Sequence, residues 1–478
     1  MTAAFIVPSP PVAADDELAR LDALGQAELV RTGQATPREL VEAAIGRIAR
    51  LDPQLNAVIH HSFDAALVAA DNPHLPDGPF RGVPFLLKDL WPSAAGEPMH
   101  LGNQAMKNAG YCHPTDANLV TAYRRAGFVL CGRTNTPELG LVATTEPLAY
   151  GPTHNPWNTA HSPGGSSGGA AAAVAARLVP VANASDGGGS IRIPASACGL
   201  IGLKPSRGRV SMGPLHDEWG VSVQHVVAIS MRDCAAALDV SAVRFPGDGV
   251  HAPGPQRPYA HEIGADPGRL RIGLLASAVT MATDPECEAA ARTAAALLES
   301  FGHHVEEVHP PALAGLAKLG QSFSTVWAVT ARANLIRLGT MIGRELGPDD
   351  VEPSTWLLAE VGANASAVEL ALAYGLQHQF RRDVMSWWGD GWDLLVSPTM
   401  AALPPKLGVC LSRAEDPVAA FRESAPYSVF TSWVNVSGQP AISLPLRQSA
   451  TGLPIGVQLV ADYGREDVLL RVGSQLLG

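Results

Sequence analysis

The sequence predicts an α/β protein whose 478 residues form one large domain. Short apolar runs typical of buried strands alternate with helical segments along the chain, a pattern that builds sheets covered by helices. No long linker rich in Gly, Ser or Pro and no fixed-period repeat divides the chain. Hydrophobic residues make up 46% and charged residues 17%, which permits a large buried core. We expect a single domain over 1–478 with an N-terminal extension at 1–24.

The clearest predicted helix spans residues 36–51. Thr36 is suited to the N-cap, Pro37 to the first helical position and Glu39 to the third, which is the pattern of a capping box. Apolar residues then recur on one stripe: Leu40, Ala44, Ile45 and Ile48. Further helices are expected over 63–70, 116–126, 170–177 and 285–301.

Short apolar runs predict the buried strands. One of them, GVPFLLKDL at 82–90, ends with Lys88 and Asp89. A strand, a long alanine-rich helix and a second strand follow one another between 270 and 308, as in sheets covered by helices. The other strands are expected at 56–59, 128–131, 178–184, 392–397 and 441–446.

Charge and cysteine content exclude several classes of function. The formal net charge is −11 and Lys and Arg form no dense run, so we expect no nucleic-acid partner. The six cysteines are far apart, which suits small core residues in a reducing compartment better than disulfides or a zinc ribbon. No basic segment followed by an apolar one opens the sequence, and the longest small-apolar stretch, 168–184, is too short for a bilayer. The sequence therefore predicts a cytoplasmic protein that does not enter a membrane.

Two glycine-rich segments lie close together, SPGGSSGG at 162–169 and DGGGSIRIPAS at 186–196. The first leads abruptly into a helix, whose free N–H groups favour an anion or a polarised hydroxyl. A flexible turn would have the same composition. A nucleotide phosphate fits less well, because the Walker pattern needs a Lys before its Ser/Thr.

Three glycines directly precede Ser190 in the second segment. They allow backbone conformations closed to other residues, so that consecutive N–H groups converge on one point and bind an oxyanion. A nucleophilic serine requires such donors beside its hydroxyl. The pattern differs from the G-x-S-x-G nucleophile elbow. Asp186 and Arg192 flank the loop, and we expect them to pair across it and hold its shape.

A serine nucleophile needs a base, and none of the 15 histidines stands in a setting typical of a Ser–His–Asp set. His303, His304 and His309 surround an acidic strand, where surface exposure is expected. Without paired ligand spacing they predict no metal site.

Lys88 is the better candidate for the base. A lysine at the end of an apolar run often only extends to solvent. If its pKa falls from about 10.4 through burial or nearby positive potential, the neutral amine can accept a proton. Ser166 can bridge the two groups, taking the proton of Ser190 and passing its own to Lys88.

These residues resemble the motifs of the amidase signature family. KDL at 88–90, SPGGSSGGAAAAVAA at 162–176 and SDGGGSIRIPASACGLIGLKPSRGRVS at 185–211 are similar to its central motifs. FTSWVNVSGQPAISLP and GLPIGVQLV resemble its closing segments, and Ser190 follows Ser166 by 24 residues, the spacing usual in the family. The resemblance runs from about residue 25 to the C-terminus, with the signature core at about 80–215.

The resemblance implies both a mechanism and a fold. Ser190 would be the nucleophile, Ser166 a bridging serine after a cis peptide bond, and Lys88 the base. The oxyanion hole would be formed by the backbone N–H groups of Gly187, Gly188, Gly189 and Ser190. The fold would be a mixed sheet of about eleven strands with helices on both faces, and neither a metal nor an organic cofactor would be needed.

Within the family, the chain is most similar to bacterial amidases of the 6-aminohexanoate-cyclic-dimer hydrolase group, through RTNTPELG, ATTEP and LVADYGRED. This implies a small-molecule amide substrate and, since a carbamate is attacked at the same carbonyl, carbamates and esters as well. Tyr150, Phe323 and Trp327 are candidates to line the substrate pocket, although core packing would account for them equally well. Trp433, where members often have Pro, and Arg447, in place of a frequent Gly, depart from the family.

Two other functions share these motifs. The same triad hydrolyses glutamine in a subunit of tRNA-dependent amidotransferase complexes, which would require partner chains and a polar pocket that reads charge. A catalytically inactive binding protein would have no need to retain all three polar triad residues. We expect a stand-alone amidase that acts as a monomer or homodimer.

Overall fold

One mixed sheet of eleven strands runs through the protein, whose computed structural model describes residues 9–478. The strands, in chain order, are β1 Val58–His61, β2 Pro84–Lys88, β3 Val129–Thr134, β4 Val181–Asp186, β5 Ile201–Lys204, β6 Val223–Ala228, β7 Arg271–Leu274, β8 His304–Glu306, β9 Leu394–Pro398, β10 Ala441–Gln448 and β11 Pro454–Ala461. Their order across the sheet is β1-β3-β2-β4-β6-β5-β10-β11-β9-β7-β8. β2 runs parallel to β3 and β4, and β7 runs parallel to β8 and β9. This architecture confirms the predicted fold class.

Helices cover both faces of the sheet. They are α1 Glu17–Arg20, α2 Ala23–Arg31, α3 Pro37–Leu51, α4 Phe63–Ala70, α5 Gln104–Asn108, α6 Asn118–Arg125, α7 Gly168–Ala175, α8 Arg192–Cys198, α9 Met231–Ser241, α10 Pro285–Ser300, α11 Leu316–Ile342, α12 Pro353–Asn364, α13 Ala367–Gly389, α14 Ala419–Ser428, α15 Ser432–Ser437 and α16 Glu466–Leu477. Successive side chains of β2 show the two faces. Phe85 and Leu87 pack into one core with α6, α9, α10 and α16, and Leu86 packs into the other with α3, α4, α7 and α8.

The predicted elements are present, with ends shifted by a few residues. At the start of α3, the Glu39 N–H donates to Thr36 Oγ1 at 3.2 Å and the Thr36 N–H donates to Glu39 Oε2 at 2.7 Å, which confirms the capping box. Strands β5, β6 and β11 were not predicted, and neither were helices α1, α2, α5, α8, α9 and α11–α16. Several of these helices pack on one another: α11 packs on α12 and α13, and α13 packs on α15.

Two expectations about single residues are wrong. His303 is buried instead of exposed, because its Nδ1 accepts from the Leu270 N–H at 3.2 Å and its Nε2 lies 2.9 Å from Gln475 Oε1. Cys112 is exposed, whereas the other five cysteines are buried as expected. All six are free thiols.

The predicted N-terminal extension contacts the domain where the structure describes it. The Ala14 N–H donates to Ala176 O at 3.0 Å, and Arg47 donates to Asp16 Oδ1 at 3.2 Å. Residues 1–8 of the extension lie outside the described residues. Between residues 9 and 478, no single helix is long and apolar enough to cross a membrane, and one pair bent by 103°, α12 with α13, passes the same test by length and composition alone.

Candidate active site

Lys88 ends a strand that is buried along its whole length. β2 runs from Pro84 to Lys88 and lies between β3 and β4 in the sheet. The Lys88 side chain at its end therefore does not reach solvent. Lys88 Nζ instead donates to two hydroxyl groups, Ser166 Oγ at 2.7 Å and Ser185 Oγ at 2.9 Å. The alternative that Lys88 only extends to solvent therefore does not apply here.

Burial controls the protonation of Lys88. Removal of the ammonium from water lowers the pKa of Lys88 well below its usual value, while the carboxylate of Asp186 raises it by a smaller amount. The two groups within hydrogen-bond distance of Nζ are neutral hydroxyls, which do not compensate a positive charge as a carboxylate would. The site therefore favours a neutral amine that can accept a proton.

Ser166 stands in the tight turn that precedes α7. The peptide bond between Gly165 and Ser166 is cis, as the resemblance implies. A Cβ at Gly165 would lie 2.4 Å from the carbonyl oxygen of Thr144, so only glycine fits there. A Cβ at Gly140 would lie 3.1 Å from Ser166 Oγ, which places the backbone of Gly140 against the hydroxyl.

Ser185 is a site residue that the sequence analysis missed. It precedes Asp186 on β4, and its Oγ is the second partner of Lys88. Ser167 fixes the backbone of Ser185 twice, because Ser167 Oγ donates to Ser185 O and accepts from the Ser185 N–H, both at 3.2 Å. Asn183, two residues earlier on the same strand face, accepts from the Lys88 N–H at 3.3 Å.

Asp186 and Arg192 pair across the glycine loop, as predicted. Arg192 Nε donates to Asp186 Oδ2 at 3.0 Å and Arg192 Nη2 donates to Oδ1 at 2.9 Å, with both side chains fully buried. Burial alone would raise the pKa of Asp186, but the Arg192 guanidinium holds it down at about 2. The carboxylate also accepts from the Gly189 N–H at 2.7 Å and the Ile191 N–H at 3.1 Å. It thereby fixes both ends of the turn that carries Ser190.

Three residues from the C-terminal segments complete this support and were also missed. Arg192 donates to Gln458 Oε1 at 2.7 Å and to Asn435 Oδ1 at 2.6 Å. Asn435 Nδ2 in turn donates to Asp186 Oδ1 at 2.9 Å. Thr431 Oγ1 donates to the carbonyl oxygen of Gly188 at 2.7 Å. The C-terminal segments of the chain therefore fix the glycine loop in place through these hydrogen bonds.

Three of the four N–H groups predicted to be oxyanion donors are left without an acceptor in the loop. Within residues 9–478, the N–H groups of Gly187, Gly188 and Ser190 have no hydrogen-bond acceptor. The N–H of Gly189 does not fit the predicted role, because it donates to Asp186 Oδ1. Gly189 has φ of +136°, and a Cβ there would lie 2.3 Å from Thr431 Oγ1. Its conformation turns the chain so that Ser190 faces outward.

Ser190 is half-buried and lies on the wall of a cavity of about 630 Å³. Gly140 and Gly188 line the same cavity, so the hydroxyl of Ser166 lies just behind it. Helices α11, α12, α14 and α15 contribute most of the wall. Among the described residues that line the cavity there is no Asp, Glu, Lys, Arg or His, and its polar groups are hydroxyls, the indole N–H groups of Trp327 and Trp433, and backbone groups. Its volume suits a drug-sized ligand.

Two of the three predicted pocket aromatics line this cavity. The rings of Phe323 and Trp327 are stacked, with centroids 5.2 Å apart. They pack on the glycine loop, because a Cβ at Gly187 would lie 3.1 Å from the ring of Trp327 and one at Gly188 would lie 3.8 Å from that of Phe323. The glycines therefore let the aromatic pair approach the loop closely.

Tyr150 does not line the cavity, so its predicted role is wrong. Its hydroxyl lies 2.5 Å from His100 Nδ1 and 3.3 Å from His60 Nε2, and Lys107 Nζ lies 4.3 Å from the centre of its ring. The phenol lies in this partly buried polar cluster because two imidazoles there are within hydrogen-bond distance of its hydroxyl. Within residues 9–478, no group of three or more His, Cys, Asp and Glu is arranged to hold a metal ion.

Comparisons with known proteins agree with this geometry. The family model described as Amidase matches residues 39–470. A 6-aminohexanoate-cyclic-dimer hydrolase from Paenarthrobacter ureafaciens is 45% identical over 470 residues, covering 96% of this chain and 94% of the relative. The solved structure of a 6-aminohexanoate cyclic dimer hydrolase has a TM-score of 0.93 at 44% identity and covers 97% of both chains. That of a bacterial aryl acylamidase has a TM-score of 0.85 at 28% identity and covers 95% of both.

The fold, the site and these relatives together define an amide-bond hydrolase. The chain belongs to the amidase signature family. The predicted resemblance is confirmed, including the similarity to the 6-aminohexanoate-cyclic-dimer hydrolases.

Proposed function

We propose that this amidase hydrolyses uncharged, largely apolar amides through an acyl-enzyme on Ser190. The observation that carries the proposal is the cavity without charged side chains that Ser190 lines, with the Lys88–Ser166 pair behind the cavity wall at Gly140. The cavity supports a neutral substrate, and the buried pair supports a relay that activates the serine.

In the proposed acylation, Ser190 Oγ attacks the amide carbonyl carbon. Its proton passes to Ser166 Oγ, while the proton of Ser166 passes across the 2.7 Å contact to Lys88 Nζ. The carbonyl oxygen becomes an oxyanion, which the free N–H groups of the glycine loop stabilise. The C–N bond then breaks, and the proton returns from Lys88 through Ser166 to the leaving amine.

Deacylation repeats these steps with water as the nucleophile. Lys88 accepts the water proton through Ser166, the second oxyanion collapses, and Ser190 leaves with its proton restored. An ester follows the same course. A carbamate follows it as well, except that a carbamoyl-enzyme formed by loss of an alcohol releases a carbamic acid, which loses carbon dioxide. The proposed activity therefore extends to carbamates and esters.

The relatives indicate where within this class the substrate lies. Their name refers to the cyclic dimer of 6-aminohexanoate, an amide in which ring closure has removed both terminal charges. Such a molecule carries apolar methylene segments and neutral amides, which match a cavity lined by aliphatic and aromatic side chains with a few hydroxyls. We include this cyclic dimer among the proposed substrates.

The cavity gives no support to the glutamine-hydrolysing alternative. Glutamine carries an ammonium and a carboxylate. Enclosing these ions in the cavity without partners of opposite charge costs on the order of several kcal/mol per ion. No charged side chain among the described residues lines the cavity to meet them. A partner chain that supplied such groups would be required.

The free thiols and the acidic net charge support a place in the cytoplasm without a nucleic-acid partner. We propose that the enzyme acts alone, as a monomer or homodimer.

A matched pair of substrates tests the proposal. We expect purified protein to hydrolyse the 6-aminohexanoate cyclic dimer, an anilide and an aryl carbamate, with and without EDTA. The linear dimer, which has the same methylenes and an amide but charged ends, should be hydrolysed at least about 10-fold less efficiently. Glutamine should not be hydrolysed, and Ser190→Ala is the blank. Turnover of glutamine alone, or preference for the linear dimer, would contradict the proposal.

A further inference from the structure

Two aliphatic side chains line the catalytic cavity and are also exposed to solvent. Val361, on α12, is 53% exposed, and Val418, just before α14, is 49% exposed. They come from different helical segments and therefore mark the rim where the cavity meets solvent. By contrast, the lining residues Ile193 and Trp433 are each only 2% exposed.

Charged side chains next to the rim are directed elsewhere. Glu360, which precedes Val361, lies 4.0 Å from Arg332 and does not line the cavity. Near Val418, Arg422 is paired with Asp416 at 3.0 Å, and neither lines the cavity. The apolar surface therefore continues without a charged group from the walls beside Ser190 to the two valines.

We propose that Val361 and Val418 form an outer apolar subsite that selects amides whose acyl chain is long enough to reach the rim. This inference rests on the proposed function, because it takes the same cavity as the substrate site. Isolated exposed aliphatic residues are common on protein surfaces. These two differ because a chain bound in the cavity and emerging past them would remove their apolar area, and its own, from water.

The subsite adds a length rule to the specificity for neutral amides. A short acyl group lies wholly inside the cavity and does not contact the rim. Each methylene beyond the length of the cavity adds contact with Val361 and Val418, until the chain extends past them. Affinity should therefore rise with chain length, and the rim substitutions should reduce only the last part of this rise.

The test measures binding on an inactive background and turnover on the active one. Anilides with acetyl, butyryl, hexanoyl, octanoyl and decanoyl groups are titrated calorimetrically into Ser190→Ala protein, with and without the added substitutions Val361→Asn and Val418→Asn. Val368→Asn is the matched control, since Val368 lies at the start of α13, is 68% exposed and does not line the cavity. Rates for the same series are measured with Ser190 present.

We expect the double rim variant to weaken binding of the longest anilides about 10-fold, while acetanilide and the Val368→Asn control change by less than about twofold. A loss that is equal at all chain lengths, or equal in the control, would overturn the subsite. The binding series does not depend on turnover. If the protein with Ser190 hydrolyses none of the anilides, the proposed function fails, and the chain-length dependence of binding still decides the subsite.

Discussion

The floor of the site and the wall of its cavity are built in opposite ways. The floor is a buried polar network in which Lys88 Nζ lies within hydrogen-bond distance of Ser166 Oγ and of Ser185 Oγ. The wall is formed by helices whose lining side chains are mainly aliphatic and aromatic and carry no charge. The floor is suited to a single chemical step, whereas the wall can accept any neutral molecule of suitable shape.

This difference has an energetic basis. A buried polar network depends on each partner, because a change that leaves one group unpaired costs the desolvation of that group. An apolar wall depends on volume and area, and it tolerates changes that preserve both. Substitutions in the floor should therefore reduce kcat for every substrate, and substitutions in the wall should change the ranking of substrates.

The largest expected effect is the loss of the nucleophile or the base. Ser190→Ala and Lys88→Ala should each lower kcat/KM by at least about 10⁴-fold for every substrate. Lys88→Arg should be as inactive as Lys88→Ala, since a guanidinium cannot be deprotonated in proteins. Steady-state kinetics on an anilide give the rates, and thermal melting checks that the variants are folded. Near-normal activity in Lys88→Arg would exclude a neutral-lysine base.

The two hydroxyl partners of Lys88 should differ in their effects. Ser166→Ala removes the proposed bridge and should lower kcat by about 10²- to 10⁴-fold. Ser185→Ala removes one hydrogen bond to Lys88 Nζ, worth about 1 kcal/mol, and should lower kcat by roughly fivefold while KM stays nearly constant. If Ser185→Ala were as inactive as Ser166→Ala, the bridge would have to be reassigned.

The pH dependence tests the protonation of Lys88. The active form of the base is the neutral amine, whose fraction rises with pH, so kcat/KM should rise with pH. Because burial lowers the pKa of Lys88 well below its usual value, the rise should occur at a lower pH than the titration of an ordinary lysine. A profile measured on a neutral anilide avoids titration of the substrate. A maximum in acid would be incompatible with this base.

The smallest effect is expected in the wall. Leu358 lines the cavity from α12 and is half-buried, so Leu358→Ser should leave the protein folded. It should raise KM for apolar anilides by a few-fold, change kcat by less than about twofold, and alter the preference between anilides and small aliphatic amides. Equal losses of kcat for all substrates would remove the contrast between floor and wall.

The floor was largely predictable because its parts are local in sequence. The run at 82–90 indicates a buried strand that ends in a lysine, and the glycines before Ser190 indicate a special backbone. Ser185 could have been found as well. Asn183 and Ser185 are two residues apart on a strand whose other residues before Asp186 are small and apolar, and such spacing puts both on one face.

The wall was not predictable in the same way. Helix α11 has buried residues on several sides because it packs on α12 and α13 as well as on the cavity, so no single apolar stripe identifies it. Tyr150 was misplaced because its partners, His60 and His100, are distant in sequence. The role of the Gly189 N–H was predicted wrongly because its hydrogen bond to Asp186 depends on the three-dimensional geometry of the loop. The sequence does not show this geometry. These outcomes depend on tertiary contacts.

The most direct measurement is mass spectrometry of the protein after brief reaction with an aryl carbamate, whose carbamoyl-enzyme should hydrolyse slowly. Acylation of Ser190 predicts a mass increase of one carbamoyl group on the peptide that contains Ser190, absent in Ser190→Ala and formed much more slowly in Lys88→Ala. A label on another residue, or an equal label in Ser190→Ala, would contradict Ser190 as the nucleophile.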